Sequence, residues 1–327
     1  MKVSISVVAL NEEKYLPTIL QDIVNQTYSH EDMEILLVDS ISQDRTKEIM
    51  MEFAEKYQDE FWQIKVLDNV GRRLANGWNT ALRAYEGEII VRVDAHAHIP
   101  DEFIAKNIER LKKGEYVCGG RRPSIAEDDS FSAKLLLAAE SAVFGSGISP
   151  FRNSEKSGYV KSIFHGAYRR EIFEAIGFFD ERLGRTEDND IHQRIRAAGY
   201  KIFMDKDIVS YQYVRPTLGK MLRQKYMNGY WIGRTIYVNP KCLSIYYFMP
   251  LIFVLSLLVA CALYVNRCPE LLIAILTGYS VTAVFVAVVT VNKYRGDIRY
   301  LLIVIVCMMI HVSYGIGTLR GILSLKR

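Results

Sequence analysis

The sequence predicts an α/β protein whose doubly wound, mostly parallel sheet is followed by C-terminal transmembrane helices. Three observations carry that prediction. Short β-branched runs alternate with helical stretches through the first 113 residues, polar residues recur where those runs end, and residues 243–322 are almost continuously apolar. Strands separated by helices a dozen residues long need parallel crossovers, which place helices on both faces of the sheet.

The elements follow in order. Residues 2–9 (KVSISVVA) read as a strand, and residues 12–25 set Tyr15, Leu16, Ile19, Leu20 and Ile23 on one helical face. Residues 33–39 (MEILLVD) form a buried strand, 46–57 a helix, 64–67 a strand and 74–85 a helix. A strand over 88–94 (EIIVRVD) and a helix over 101–113 complete the alternation. In such sheets ligands collect at the carboxyl ends of strands, where Asn11, Asp39 and Asp94 fall.

Beyond residue 242 three apolar stretches, 243–265, 271–291 and 300–322, each approach the roughly 20 residues a bilayer core requires. Tyrosines cluster near their ends, as at membrane interfaces. Domain boundaries are expected at 1–214 for a catalytic domain, 215–242 for basic, aromatic interface helices and 243–327 for the membrane domain. The second connection carries Lys293, Arg295 and Arg299 and the first only Arg267, so positive-inside logic puts the catalytic domain in the cytoplasm of a multi-pass inner or plasma membrane protein. Three spans then carry Arg320, Lys326 and Arg327 outside, which leaves a re-entrant last segment as the alternative.

A net charge of +4 and the lack of an aromatic-interleaved basic patch argue against a nucleic-acid partner. Between Ile208 and Pro269 there is no acidic residue, whereas Arg215, Lys220, Arg223, Lys225, Arg234, Lys241 and Arg267 are basic. Such a run attracts anionic headgroups by about 1 kcal/mol per residue. The five cysteines show no CxxC pairing and read as reduced. No cleavable secretory signal is expected, because the apolar run 3–10 is short and is followed by Asn11, Glu12 and Glu13.

Three acidic sites carry the chemistry. Asp39 ends a buried strand, where a carboxylate can accept the N3 proton of a uracil while Asn11 and Glu12 approach base or ribose; it can equally support the helix that starts near Ser42 and Asp44. Asp94 and His96 leave a strand at i and i+2, on one side, and oxygen plus imidazole suits a divalent cation; a solvated polar strand end is the plain alternative. Glu187, Asp188 and Asp190 open a helix, where carboxylates are favoured by the dipole whether or not one serves as a general base.

The ordered set SVVALNEEKYL, ILLVDSISQDRT, VRVDAHA, GFFDE and TEDNDIHQRIRAAGY covers nearly all of the first 205 residues and resembles the family 2 glycosyltransferases of GT-A (nucleotide-diphospho-sugar transferase) fold. VDAHAHIP and the three-span tail resemble transferases of succinoglycan-type exopolysaccharide assembly. The resemblance implies inverting transfer from a UDP-sugar with Mn2+ or Mg2+ as cofactor. It implies that Asp39 binds the uracil, that Asp94 contacts ribose and metal, that His96 replaces the second Asp of D-x-D, and that Asp188 is the base. Ala9 and Ala95 join the donor side on the same grounds. Polypeptide GalNAc-transferases are similar in using D-x-H for manganese. Processive relatives carry Q-x-x-R-W, whereas this chain has Gln224 and Trp231 at a different spacing, so addition of one sugar is expected.

Several residues extend these sets. Arg72, Arg73 and Asn79 are placed either at the donor diphosphate or on a solvated helix face. Arg121 and Arg122 can receive a lipid diphosphate. Glu187, Gln224, Trp231 and His165 are assigned to the acceptor side, with a satisfied core histidine as the alternative for His165. The helix over 131–144 is read as membrane-facing or acceptor-covering rather than core, and His311, an ionisable group in a span, as a functional candidate. The predicted acceptor is a polyprenyl-diphosphate-linked saccharide at the membrane. The rivals are a polyprenyl-phosphate sugar synthase and a non-catalytic membrane scaffold.

Overall fold

A computed structural model describes residues 1–142, 144 and 155–324. It divides into two compact units, Met1–Pro123 with Pro150–Gln212, and Ser124–Ser149 with Tyr213–Arg327.

The first unit holds β1 (Val3–Ala9), α1 (Leu16–Val24), β2 (Met33–Asp39), α2 (Thr46–Tyr57), β3 (Gln63–Asp68), α3 (Leu74–Ala84) and β4 (Ile89–Asp94). These match the alternation read from the sequence to within a few residues, because β-branched runs and 3.6-residue periodicity both face a core here. The unit continues with β5 (Ala97–His98), α4 (Phe103–Lys112) and β6 (Val117–Arg121). The second unit takes β7 (Ser124–Ile125) and α5 (Phe131–Ser141). The chain then returns to the first unit as β8 (Gly158–Val160), β9 (Ala167–Arg169), α6 (Arg170–Ile176), α7 (Glu187–Ala197) and β10 (Ile202–Val209). The strand order is β3-β2-β1-β4-β9-β6-β10-β8. Pairings among β1 to β4 and between β6 and β10 are parallel, while β9 runs antiparallel to both β4 and β6. A three-residue strand is too short to leave a periodic signal, so β9 was not legible in the sequence.

The helices cover both faces. Val3, Ile5 and Val7 of β1 and Ile89, Val91 and Val93 of β4 pack with α1, α2 and α4. Ile90 faces the other way, with residues of α3, α6 and α7. Strand period two therefore sends Arg92 and Asp94 to the α7 side. Close packing fixes some backbone: a Cβ on Gly120 would lie 1.7 Å from the carbonyl oxygen of Ile208.

The second unit continues through β11 (Tyr211–Tyr213), whose last residue belongs to it, to α8 (Leu218–Thr235), α9 (Met249–Val265), α10 (Glu270–Lys293) and α11 (Ile303–Leu323). Three stretches, Ile245–Val265, Glu270–Lys293 and Ile298–Leu323, are long and apolar enough to cross a membrane. The helix read as membrane-facing belongs to this unit's core: Leu135, Leu136, Ala138 and Ala139 pack with Met221, Ala287, Ile303 and Ile310. Of the residues expected in that helix, Val143 lies outside the described residues, and so do Lys326 and Arg327 of the C-terminal basic group. Lys225, counted above among the headgroup-facing cations, is instead buried and paired with Glu140 at 2.6 Å. His311 is satisfied by the Tyr279 hydroxyl at 3.1 Å and the Phe144 carbonyl at 2.6 Å. None of the five cysteines, all among the described residues, is in a disulfide.

Candidate active site

The carboxyl ends of β1, β2 and β3 open into loops with left-handed residues at Asn11 (φ 55°), Ile41 (φ 60°) and Arg72 (φ 58°). Asparagine tolerates that region, whereas a β-branched residue there is strained. Hydrogen bonds hold the loops. Asn11 donates its backbone N–H to Ser42 Oγ (3.0 Å) and accepts from Gln43 N (2.8 Å), and Arg72 Nη2 reaches the Ile41 carbonyl (3.3 Å). Asp39 is buried, with its carboxylate accepting from Ser42 N at 3.2 Å on both oxygens. Ala9, also buried, accepts from Ser40 N at 2.9 Å.

At the end of β4, Asp94 Oδ2 lies 3.4 Å from His165 Nε2, and His165 Nδ1 meets Ser210 Oγ at 2.8 Å. His165 stands beside β4 because Arg92 N donates to the Gly166 carbonyl at 3.0 Å. Burial alone would raise the Asp94 pKa, but the adjacent imidazoles of His165 and His96 and the Arg92 guanidinium hold it well below the usual carboxylate range. Burial also keeps His165 below its ordinary value. Beyond the buried Ala95, both His96 ring nitrogens have partners: Nδ1 is 3.2 Å from Glu12 Oε1 and Nε2 is 3.0 Å from Gln212 Nε2. His98 is tied to Asp22 at 2.8 Å.

The third group sits on the first turn of α7. Asp188 forms an ion pair with the guanidinium of Arg92, which lies over the Trp78 ring at 4.2 Å and the Phe179 ring at 5.0 Å. Glu187 is buried, and its Oε2 has no hydrogen-bond partner among the described residues. Burial, then the charge of Asp188, push its pKa up to about 8. One turn along, His192 Nε2 meets the Tyr168 hydroxyl at 2.9 Å and Nδ1 meets Ser162 Oγ at 3.0 Å. Burial lowers its pKa to about 4, so the ring is neutral. Arg92, Asp94, Glu187 and Asp188 thus interact as one charged cluster on the α7 side of the sheet.

The remaining expected site residues have these surroundings. Asn79 is buried and spends its amide on its own chain, donating to the Phe179 carbonyl and Glu181 Oε1 (both 2.9 Å) and accepting from Phe179 N (2.9 Å). It pins the GFFDE segment to α3, which leaves nothing for a diphosphate. Arg122 is buried against the Phe164 ring at 3.5 Å, and Arg121 donates to the Lys206 carbonyl at 2.9 Å. Gln224 and Trp231 lie on α8 of the second unit, both half-buried, with Trp231 edge-on to Tyr230 at 5.8 Å. Arg92 and Gln212 escaped the sequence reading, although a charge inside a buried strand, two residues before Asp94, is a signal for Arg92.

Residues 4–177 match the family model Glycosyl transferase family 2. The chain belongs to that family and is a glycosyltransferase. It is 26% identical over 261 residues, 78% of this chain and 80% of the relative, to a dolichyl N-acetyl-alpha-D-glucosaminyl phosphate 3-beta-D-2,3-diacetamido-2,3-dideoxy-beta-D-glucuronosyltransferase of Methanococcus voltae. It is also 26% identical over 230 residues to the succinoglycan biosynthesis protein ExoA of Rhizobium meliloti, a match spanning 69% of this chain and 66% of that relative. In fold it is similar to the mannosyltransferase PcManGT from Pyrobaculum calidifontis, solved with GDP-Man and Mn2+. The TM-score is 0.59 at 19% identity, over 94% of this chain and 85% of that one. The sheet is therefore a GT-A fold, with the apolar helices in the position of a C-terminal anchor.

Proposed function

We propose that this glycosyltransferase moves one sugar, with inversion, from a UDP-sugar to a saccharide carried on a polyprenyl diphosphate at the cytoplasmic face of the cell membrane. The observation that supports it most is the Arg92–Asp94–Glu187–Asp188 cluster, which joins a strand-end carboxylate to a second one at a helix start. Sugar transfer needs both functions: one carboxylate on the donor side and one that takes the acceptor's proton. The acceptor class follows the Methanococcus relative, named for a dolichyl-phosphate-linked sugar. Three helices of spanning length would keep such a lipid at hand.

Asp39, Asn11 and Glu12, with the backbone at Ala9 and Ala95, are assigned to the nucleoside, and Arg72 to the diphosphate. A divalent ion fits Asp94 and His96, since an ionised, buried carboxylate and an imidazole are ligands Mn2+ accepts. Among the described residues no group of three His, Cys, Asp or Glu side chains stands ready, so the donor's phosphates would complete the shell. When bound, the ion supplies positive charge that stabilises the departing diphosphate. His96 would exchange Gln212 or Glu12 to reach it.

Asp188 accepts the acceptor hydroxyl proton through Oδ2, its Oδ1 being held by Arg92. As that proton leaves, the acceptor oxygen attacks the anomeric carbon and the carbon–phosphate oxygen bond breaks with inversion. His165 and Glu187, both buried, are assigned to shaping the acceptor side. The test uses membranes containing the full chain, screened with labelled nucleotide sugars and then repeated with Asp188→Asn. Transfer should fall by about 10²- to 10⁴-fold with donor binding kept. Retained turnover would remove the base assignment, and transfer to bare polyprenyl phosphate would favour the synthase instead.

A further inference from the structure

We infer that Arg92 is a positioning residue for sugar transfer: it anchors one oxygen of the Asp188 carboxylate and thereby aims the other at the acceptor. This rests on the reading of Asp188 as the base. Four observations carry it.

Arg92 is not at the surface, where an arginine would need no explanation. It projects from the middle of β4 with its side chain 8% exposed, a place where a charge is costly unless paired. Its guanidinium lies against two aromatic faces, Trp78 from α3 and Phe179 from the segment before α7. Stacking suits a planar guanidinium far better than a compact ammonium. Beyond those rings the guanidinium meets Asp188 Oδ1.

The partner is fixed as carefully. Asp188 and His192 are one helical turn apart on α7, and His192 is bolted to Tyr168 and Ser162. The helix start therefore meets the sheet at two points, Asp188 on Arg92 and His192 on Tyr168. Asp188 itself stays 18% exposed, while Arg92 behind it is nearly sealed. A group meant only to tie helix to sheet would gain nothing from being left open to solvent.

The charge balance points the same way. Asp94 acts on this cluster as a negative neighbour, and Arg92 is the cation in ion-pair contact with Asp188. The groups facing Asp188 are Arg92 from β4, Tyr168 from β9, and Glu187 and His192 from its own helix.

The experiment compares Arg92→Met, Arg92→Gln and Arg92→Lys in full-length protein, with kcat and donor KM measured separately and folding checked by thermal melting. Met and Gln each remove the charge, so either one that folds decides the outcome. We expect kcat to fall at least about 100-fold, in the range of a lost general base, with donor KM within about threefold. Lysine, which keeps the charge without the stack, should recover part of the loss. The inference is overturned if a neutral variant keeps kcat, if donor KM rises in step with the loss, or if lysine does no better than the neutral variants. Asp188→Asn in the same assay separates the two ideas: if it still turns over, the base reading fails whatever Arg92 does.

Discussion

The two ends of one sheet bury carboxylates in opposite ways. At the amino end, Glu34 of β2 is fully buried and fully served: Ser4 Oγ and Glu86 N (2.8 Å) donate to it, and Lys65 Nζ pairs with it at 2.8 Å. At the carboxyl end, Glu187 keeps an oxygen without a partner among the described residues, Asp188 beside it is paired with Arg92, and Asp94, next to His165, is held well below the usual carboxylate range. Backbone strain divides likewise. The left-handed residues that follow β1, β2 and β3 are Asn11, Ile41 and Arg72, whereas before β6 and β10 the same conformation is taken by Gly114 and Gly199, where it costs nothing. Residue type does not separate structure from chemistry here. Satisfaction does: a carboxylate with all its bonds made holds the fold, and one left poised is where the proposed chemistry is assigned.

The strongest way to break this comparison is to delete a carboxylate at each end. Asp188→Asn should cost turnover and little stability. Glu34→Ala should do the reverse, destabilising by about 2–4 kcal/mol by stripping Lys65, Ser4 and Glu86 of a buried partner, with kcat per folded molecule unchanged. If Glu34→Ala lowers kcat in a preparation that is still folded, the division between the ends is wrong. Next in size is the ion. His96→Ala should raise the Mn2+ concentration giving half-maximal transfer by at least about tenfold, since even lost support of a ligand costs that much. An unchanged metal titration would take His96 off the site.

Glu187 sharpens the contrast through pH. Its folded pKa, about 8, lies above the ordinary carboxylate value, so its contribution to stability is fully present below about pH 4.5 and is lost as pH rises through 8. Glu187→Gln removes that dependence. Its melting temperature should match wild type near pH 5 and exceed it by roughly 5 °C at pH 8.5. Parallel melting curves across that range would refute the burial argument.

Much of this was legible from the chain. β2 and α2 fall where the residues placed them, because long periodic runs report their own burial. Asp39, Asp94 and Asp188 drew notice as acids at strand ends and a helix start. What could not be read depended on partners far away in sequence. Asn79 looked like a donor contact until Phe179 and Glu181, 100 and 102 residues on, claimed its amide. Lys225 looked like a headgroup cation until Glu140 closed on it. The assignment of α5 to the second unit has the same origin, since its core partners lie on α8, α10 and α11.

The smallest effect tests the strain itself. Ile41 is β-branched, 39% exposed and left-handed, and its carbonyl is bonded by Arg72 across to the next loop. Nothing in its own packing repays that conformation, which costs about 1–2 kcal/mol for a side chain with a Cβ. If the strain is retained because it fixes the loop that follows Asp39, relieving it should help the fold and hurt the site. Ile41→Gly removes the Cβ penalty but loosens the unfolded chain, so the net gain in stability should be at most about 1 kcal/mol. Donor KM should rise severalfold while kcat stays, because the loop must then be ordered at the expense of binding. A variant with higher stability and unaltered KM would mean that the left-handed turn serves only chain reversal, and strain at this edge would no longer distinguish it from the other.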